Sequence, residues 1–187
     1  MDERGSARLR SSRRRTRTFL ELCAIGLLLF SAATARYLIW PDLQHPPGKV
    51  DAIIELGGPG DRDSAALALA RAQQASYLVQ STVPVEAGTD RCLPPVRDVS
   101  VLCFHADPPT TRGEAWSIAR LAQQYGWRSI ILVTTPDQAL RAHLRVSRCF
   151  SGDVYVSTTP LPRSNWLYWI PYQWAASVKA YVFEPSC

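Results

Sequence analysis

Seven arginines followed at once by an apolar stretch divide this chain before any fold is considered. Arg4, Arg8, Arg10, Arg13, Arg14, Arg15 and Arg17 stand against only Asp2 and Glu3 in residues 1–18. From Phe19 to Trp40 the sequence is mostly apolar, uncharged without a break from Leu22 to Ala35, and closed by amphipathic Tyr37 and Trp40. As a helix these residues reach roughly 33 Å, enough to cross a hydrocarbon layer of about 30 Å. Glu21 and Arg36 stand where long side chains extend toward opposite interfaces. Arginine on the amino side predicts that this end stays inside, giving a single-pass protein of the inner membrane with its bulk on the extracytoplasmic side. A cleaved signal peptide is the competing reading, since Ala33-Thr34-Ala35 has the small-x-small form of a cleavage site. The anchor is favoured because apolar and aromatic residues resume after Arg36. The expected division is a basic cytoplasmic tail (1–18), a transmembrane anchor in the lipid bilayer (19–40), a Pro-rich linker lifting the domain off the membrane (41–49), and one α/β domain (50–187).

The net charge of +5 resides in that tail, and the remainder balances 14 basic against 14 acidic residues. A folded part without net charge has no field to draw a polyanion by counterion release, so nucleic acid is not an expected partner. Export also makes the cysteines interpretable. Cys23 lies in the apolar segment, which leaves Cys92, Cys103, Cys149 and Cys187. Four cysteines permit three pairings. Cys92 with Cys103 would close a short Pro-rich loop, and Cys149 with Cys187 would pin the carboxyl terminus; this is the favoured set. No CxxC or Cys/His spacing supports zinc, and structural disulfides are the expectation in an oxidising compartment.

Val50 to Leu56 reads as a buried strand ending in Gly57-Gly58. The loop Pro59-Gly60-Asp61 leads into an Ala/Leu-rich helix predicted over 62–75, and a short strand follows at 77–81. Residues 82–98 read as loop, then a strand at 99–104. Thr111 to Tyr125 is the clearest helix, with apolar residues on one face at helical spacing and Gly126 stopping it. Ser129 to Thr134 suits a strand covered on both faces. Thr135-Pro136 then reads as an N-cap with proline at the first helical position, opening a helix to about Cys149. A strand at 154–157 and an aromatic-rich end, with a last helix after the tryptophans, complete the chain. Strands alternating with helices imply a mainly parallel sheet with helices on both faces. Ligands in such sheets gather at the carboxyl ends of strands, where strand order reverses.

Three loops answer to that rule: Gly57-Gly58 with Arg62, Thr110 to Glu114, and Thr134-Thr135 with Arg141. Each follows a strand and opens a helix, whose unpaired N–H groups, together with Arg62, Arg112 and Arg141, suit a phosphate or carboxylate. At these residues the sequence resembles the family of envelope proteins that includes YdcF, SanA and ElyC. The elements are the strand-Gly57-Gly58 turn with Arg62 beyond it, the Thr111-Arg112-Gly113-Glu114-Ala115 helix start, and Val133-Thr134-Thr135 running to Arg141-Ala142. The resemblance implies a three-layer Rossmann-like domain tethered to the inner membrane and a link to envelope or peptidoglycan maintenance. For one branch it implies a nucleotide-like ligand such as S-adenosylmethionine, and it implies no settled reaction. Where that family has a histidine three residues before its Arg-Ala pair, this chain has Gln138, which can hydrogen-bond but cannot shuttle a proton. Gln173 falls where relatives carry a glutamate.

The expected ligand, an anionic nucleotide-like or prenyl-phosphate molecule, is therefore assigned to Gly57, Gly58, Arg62, Thr111, Arg112, Thr134, Thr135, Gln138 and Arg141. Glu114 is the nearby carboxylate suited to act as a base. A non-catalytic scaffold that has lost the family's chemistry is the alternative, and Gln138 supports it. Simpler roles compete residue by residue: Thr111 and Glu114 also form a T-x-x-E capping box, and Arg62 and Arg141 also suit Asp61 and Asp137 as partners. His105 and His143 have no partner fixed by the sequence. The terminal tryptophans suit a core or an interface, and they also suit lipid headgroups. Anchor and cleaved signal differ by mass: the mature protein is expected to retain residues 1–35, and an intact mass beginning at Arg36 would contradict the anchor.

Overall fold

The computed structural model describes residues 3–82, 92–161 and 166–187, with side chains from Arg14 onward. Helix α1 (Glu3–Thr34) continues as a π-helical turn, Ala35–Ile39. The elements that follow are β1 (Val50–Glu55), α2 (Arg62–Arg71), β2 (Ala75–Thr82), β3 (Ser100–His105), α3 (Thr111–Tyr125), β4 (Ser129–Thr134), α4 (Pro136–Cys149) and β5 (Asp153–Thr158). Last comes α5 (Trp166–Val178), extended by a second π-helical turn, Lys179–Phe183.

Among the described residues the strands form one sheet in the order β3-β2-β1-β4-β5, every neighbouring pair parallel. Ile53 at its centre is in register with Leu78 of β2 on one side and Ile131 of β4 on the other. Side chains alternate between faces along a strand. Ala52, Ile54 and Leu56 of the β1 segment therefore enter a core shared with Ala115 and Ile118 of α3 and Ala142 and Val146 of α4. Ile53 enters the opposite core, with Ala66 and Ala70 of α2. The result is a doubly wound, three-layer Rossmann-like sandwich, as the alternation of elements predicts. Strand order reverses between β1 and β4, so the open crevice of the fold lies above their carboxyl ends.

Most element boundaries fall within a residue or two of expectation, with two exceptions: the last helix begins at Trp166 and contains the tryptophans it was expected to follow, and α2 ends early. It stops at Arg71, and β2 begins at Ala75. The amides of Ala72, Gln73 and Gln74 turn back onto the carbonyls of Ala68, Ala70 and Leu69, with Gln73 at a positive φ of 56°. Alanines at 72 and 75 carry helix propensity past a stop made by backbone closure alone.

The apolar amino-terminal helix does not stand clear of the domain. Arg14–Ile39 is long and apolar enough to cross a membrane, yet Leu38 is buried and its π-turn lies against α4. The Trp174 indole N–H donates to Thr34 Oγ1 at 3.1 Å. Residues 41–49 thus connect two parts already in contact. Residues 3–18 of the basic segment share the helix backbone of the apolar segment that follows.

Both favoured disulfides are formed, Cys92–Cys103 and Cys149–Cys187, with Cα separations of 5.8 Å and 4.9 Å. The second holds the chain end against α4. There Arg145, buried, pairs with Glu184, and Arg148 donates to the carbonyls of Ala180 and Glu184. Replacing Cys149 and Cys187 together by alanine frees that end in the unfolded chain and is expected to lower stability by about 2–4 kcal/mol. Chemical denaturation of the oxidised chain measures it, and an unchanged midpoint would contradict the pinning role.

Candidate functional site

The site begins with the way β1 ends. Its strand hands over to Gly57 and Gly58, and Gly58 adopts a φ of 133°, where a side chain is strained. A Cβ there would also meet the Arg62 guanidinium at 3.0 Å. Glycine thus lets the first helical residue of α2 fold back over the loop that precedes it. Arg62 is only 1% exposed. Its Nε donates to Pro59 O, one terminal nitrogen to Leu56 O and Gly57 O, and the other to Thr135 Oγ1 and Gln138 Oε1. A guanidinium has five N–H groups, and all five are used. Burial acts against its charge, and the nearby carboxylates of Glu114 and Asp137 act to retain it.

Gln138 is the hub on the α4 side. Its carbonyl accepts from Arg62 and from the Thr134 hydroxyl, both at 2.9 Å, and its amide donates to Thr111 Oγ1 at 3.3 Å. Thr111 also accepts from Arg141 at 2.9 Å. The other nitrogens of Arg141 point to Gln173 Oε1 on α5, and Gln173 returns its amide to Asp137 Oδ2 at 2.8 Å. Three of the five Arg141 donors are thereby used. The second Asp137 oxygen, Oδ1, is buried without a donor.

Glu114 closes the β1 side. Its Oε1 accepts from the Gly57 amide at 2.7 Å, and the Ser81 hydroxyl at the end of β2 also bonds to it. Burial pushes its carboxyl above the usual range, against the pull of Gly57, Ser81, Arg62 and Arg141. The T-x-x-E capping box is therefore not what forms. Thr110 is the N-cap of α3, its hydroxyl accepting from Gly113 N, while Thr111 and Glu114 both turn to the cluster. Thr135 caps α4 as expected, with Pro136 next, yet its hydroxyl serves Arg62 and makes no side-chain cap bond.

Arg62, Glu114, Thr111, Thr134, Thr135, Gln138 and Arg141 thus converge at the switch point between β1 and β4. Gly57 joins them through its amide, and Gly58 supplies the turn. Arg112 does not join them. Its guanidinium stacks over Trp116 at 5.0 Å and donates to Ser186 and the Cys187 carbonyl, so the structure moves it from the expected ligand set to the carboxyl terminus. His105 bonds with Thr82 on the outer strands, and His143 is exposed on α4, both outside the cluster. Sequence reading assigned no site role to Gln173, Asp137 or Ser81. The one signal for Asp137 was its place beside Gln138.

On the α2 face of the sheet, Glu55 forms a second polar group. Burial pushes its carboxyl up to about 8, helped by the charge of Asp63 and a hydrogen bond shared with it, and opposed by Arg62 and Gln80. Its Oε2 is buried without a donor.

The arrangement defines a class: a doubly wound α/β domain behind an apolar amino-terminal helix, with a buried arginine–carboxylate cluster at its switch point. No family model, curated protein or solved structure matches the chain, so the cluster is interpreted from its own geometry.

Glu55 makes the fold sensitive to pH. A carboxyl whose pKa rises from 4.5 when unfolded to about 8 when folded binds more protons in the folded state across that interval. Stability therefore falls as pH rises through the interval, and the loss is complete above it. Glu55→Gln keeps the neutral form and is expected to flatten that decline in urea titrations across the same range. Glu114, shifted in the same direction, leaves a residual slope. An unchanged slope would contradict a protonated Glu55.

Proposed function

We propose that this is a membrane-anchored cell-envelope protein whose extracytoplasmic α/β domain binds an anionic small ligand at the switch point of its sheet. The observation that carries this reading is the cost of the cluster. Two guanidiniums and two carboxylates, Arg62, Arg141, Glu114 and Asp137, are all buried within one network. Apolar residues of similar volume would stabilise a mere scaffold at least as well. Such clusters concentrate at functional sites, and this one lies where α/β sheets take their ligands.

The roles divide unequally. Arg62, with every donor bound to protein, shapes the β1 loop. Arg141 retains two donors beyond its bonds to Thr111 and Gln173, and with the first turns of α3 and α4 it forms the anion-facing part. The ligand class is a nucleotide-like molecule, which the YdcF-like resemblance implies for one branch, or a prenyl phosphate, whose anionic head suits the same donors. Seven arginines on the amino side support an N-terminus inside at the inner membrane, and two formed disulfides support a domain in an oxidising compartment. The bond from Trp174 to Thr34 and the packing of Trp174 on Phe30 support retention of the anchor, because cleavage after Ala35 would remove one side of both contacts.

A second reading, a non-catalytic scaffold, is favoured by Gln138. Its carbonyl fills the space between Arg62 and Thr134, and no histidine is present there to move a proton.

Thermal unfolding of the full chain in detergent with inorganic phosphate, nucleotides, S-adenosylmethionine and prenyl phosphates separates the two readings. A compound at 100 times its dissociation constant is expected to stabilise by about 2.7 kcal/mol, a shift that Arg141→Ala abolishes. No shift with any compound, or one that survives the substitution, would contradict the ligand site and favour the scaffold.

A further inference from the structure

The outer face of α5 is unlike that of a helix facing water. Leu167 is 96% exposed, and Tyr168, Tyr172, Val178, Val182 and Phe183 continue the exposed surface along α5 and its π-turn. Lys179 is the one charged residue from Trp166 to Phe183. A contiguous apolar face of this kind marks an interaction surface.

What covers it follows from where the helix is attached. Trp174 lies 5.7 Å from the ring of Phe30 and 6.5 Å from that of Tyr37, and its indole bonds to Thr34. All three belong to the apolar Arg14–Ile39 helix, on which Phe30 and Tyr37 are themselves exposed. Thr34 stands five residues before Ile39, roughly 8 Å from the end of the span at 1.5 Å per residue. The lipid-facing surface of α1 therefore continues, through Trp174, onto the exposed surface of α5. Tyrosine and tryptophan, apolar in body and polar at one tip, are the side chains that settle at the headgroup level.

We propose that α5 and its π-turn lie in the outer headgroup layer of the same bilayer that α1 crosses, so that the domain rests on the membrane along this helix. The inference depends on the reading of α1 as a membrane span. Gln173, on the buried side of the same helix, holds Arg141 and Asp137. The switch-point cluster is then one helix diameter, about 10 Å, from the lipid-facing side of α5.

The test uses the full chain carrying Cys23→Ser, kept oxidised so that its paired cysteines are protected. One cysteine at a time is introduced as Leu28→Cys, Leu167→Cys, Tyr172→Cys or Asp98→Cys and labelled with an environment-sensitive fluorophore. The protein is reconstituted in phosphatidylcholine–phosphatidylglycerol vesicles whose lipids carry a nitroxide near the top or the middle of the acyl chain. Labels at 167 and 172 are expected to lose fluorescence to the shallow nitroxide and the label at 28 to the deep one, while the label at 98 keeps its emission. Quenching at 28, with labels at 167 and 172 behaving like that at 98, would overturn the proposal and leave the anchor standing. Loss of quenching at 28 as well would refute the anchor, and the proposal with it. Shielding at 167 that instead grows with protein concentration would assign the face to a second copy of the chain and likewise overturn the proposal.

Discussion

Five acceptors surround the guanidinium of Arg62, and the geometry of the crevice depends on that group being where it is. Three of the five are the carbonyls of Leu56, Gly57 and Pro59, which curve the end of the β1 segment around the side chain. The other two, Thr135 and Gln138, belong to the start of α4, reached from β4. One side chain thus ties together the two loops that flank the reversal of strand order. Orphaning these acceptors in the interior would cost on the order of 1–3 kcal/mol each, so the loops are held as a unit or not at all. Gly58 is the sequence condition for this, since a side chain there would collide with the guanidinium. Gln138 then passes the constraint to Thr134 and Thr111, and Thr111 passes it to Arg141 and α5.

The strands and the switch point were legible because their signals are local. Apolar runs bounded by Gly57-Gly58 and by Thr134-Thr135 mark β1 and β4, and proline at 136 marks the start of α4. The residues gathered at the site were legible because a doubly wound sheet brings strand ends together wherever they stand in the chain. The direction in which each side chain turns was not. Arg112 and Thr111 are adjacent, yet one faces the carboxyl terminus and the other the cluster, a difference set by helical rotation and by Trp116, Ser186 and Cys187. Thr110 and Thr111 are equivalent as caps by composition, and the demand of Arg141 and Gln138 for an acceptor separates them. Gln173 meets Arg141 across 32 residues, a contact that no local pattern encodes. The premature end of α2 was hidden for a related reason: its stop is a non-glycine residue at positive φ, and no composition rule flags Gln73.

The domain and its apolar amino-terminal helix are packed as one object. The π-turn after α1 packs on α4, α5 packs on both α4 and α1, and the carboxyl terminus is bound back to α4 by a disulfide and by Glu184. Helix α4 therefore carries the hub of the cluster on its first turn and the attachments of the apolar helix and chain end along its length. From the apolar amino-terminal helix a continuous path of packed and hydrogen-bonded groups leads to Gln138, through α5, Gln173, Arg141 and Thr111.

The claim on which the rest depends is that Arg62 and Gln138 act as one structural element, and a double-mutant cycle measures it most directly. Arg62→Met, Gln138→Leu and the double variant would be compared with the parent by chemical denaturation of the full oxidised chain in detergent. Coupling through the shared hydrogen bond predicts that the double variant loses at least about 1 kcal/mol less than the sum of the single losses. Losses that add within about 0.5 kcal/mol would show the two residues to be independent and contradict the account.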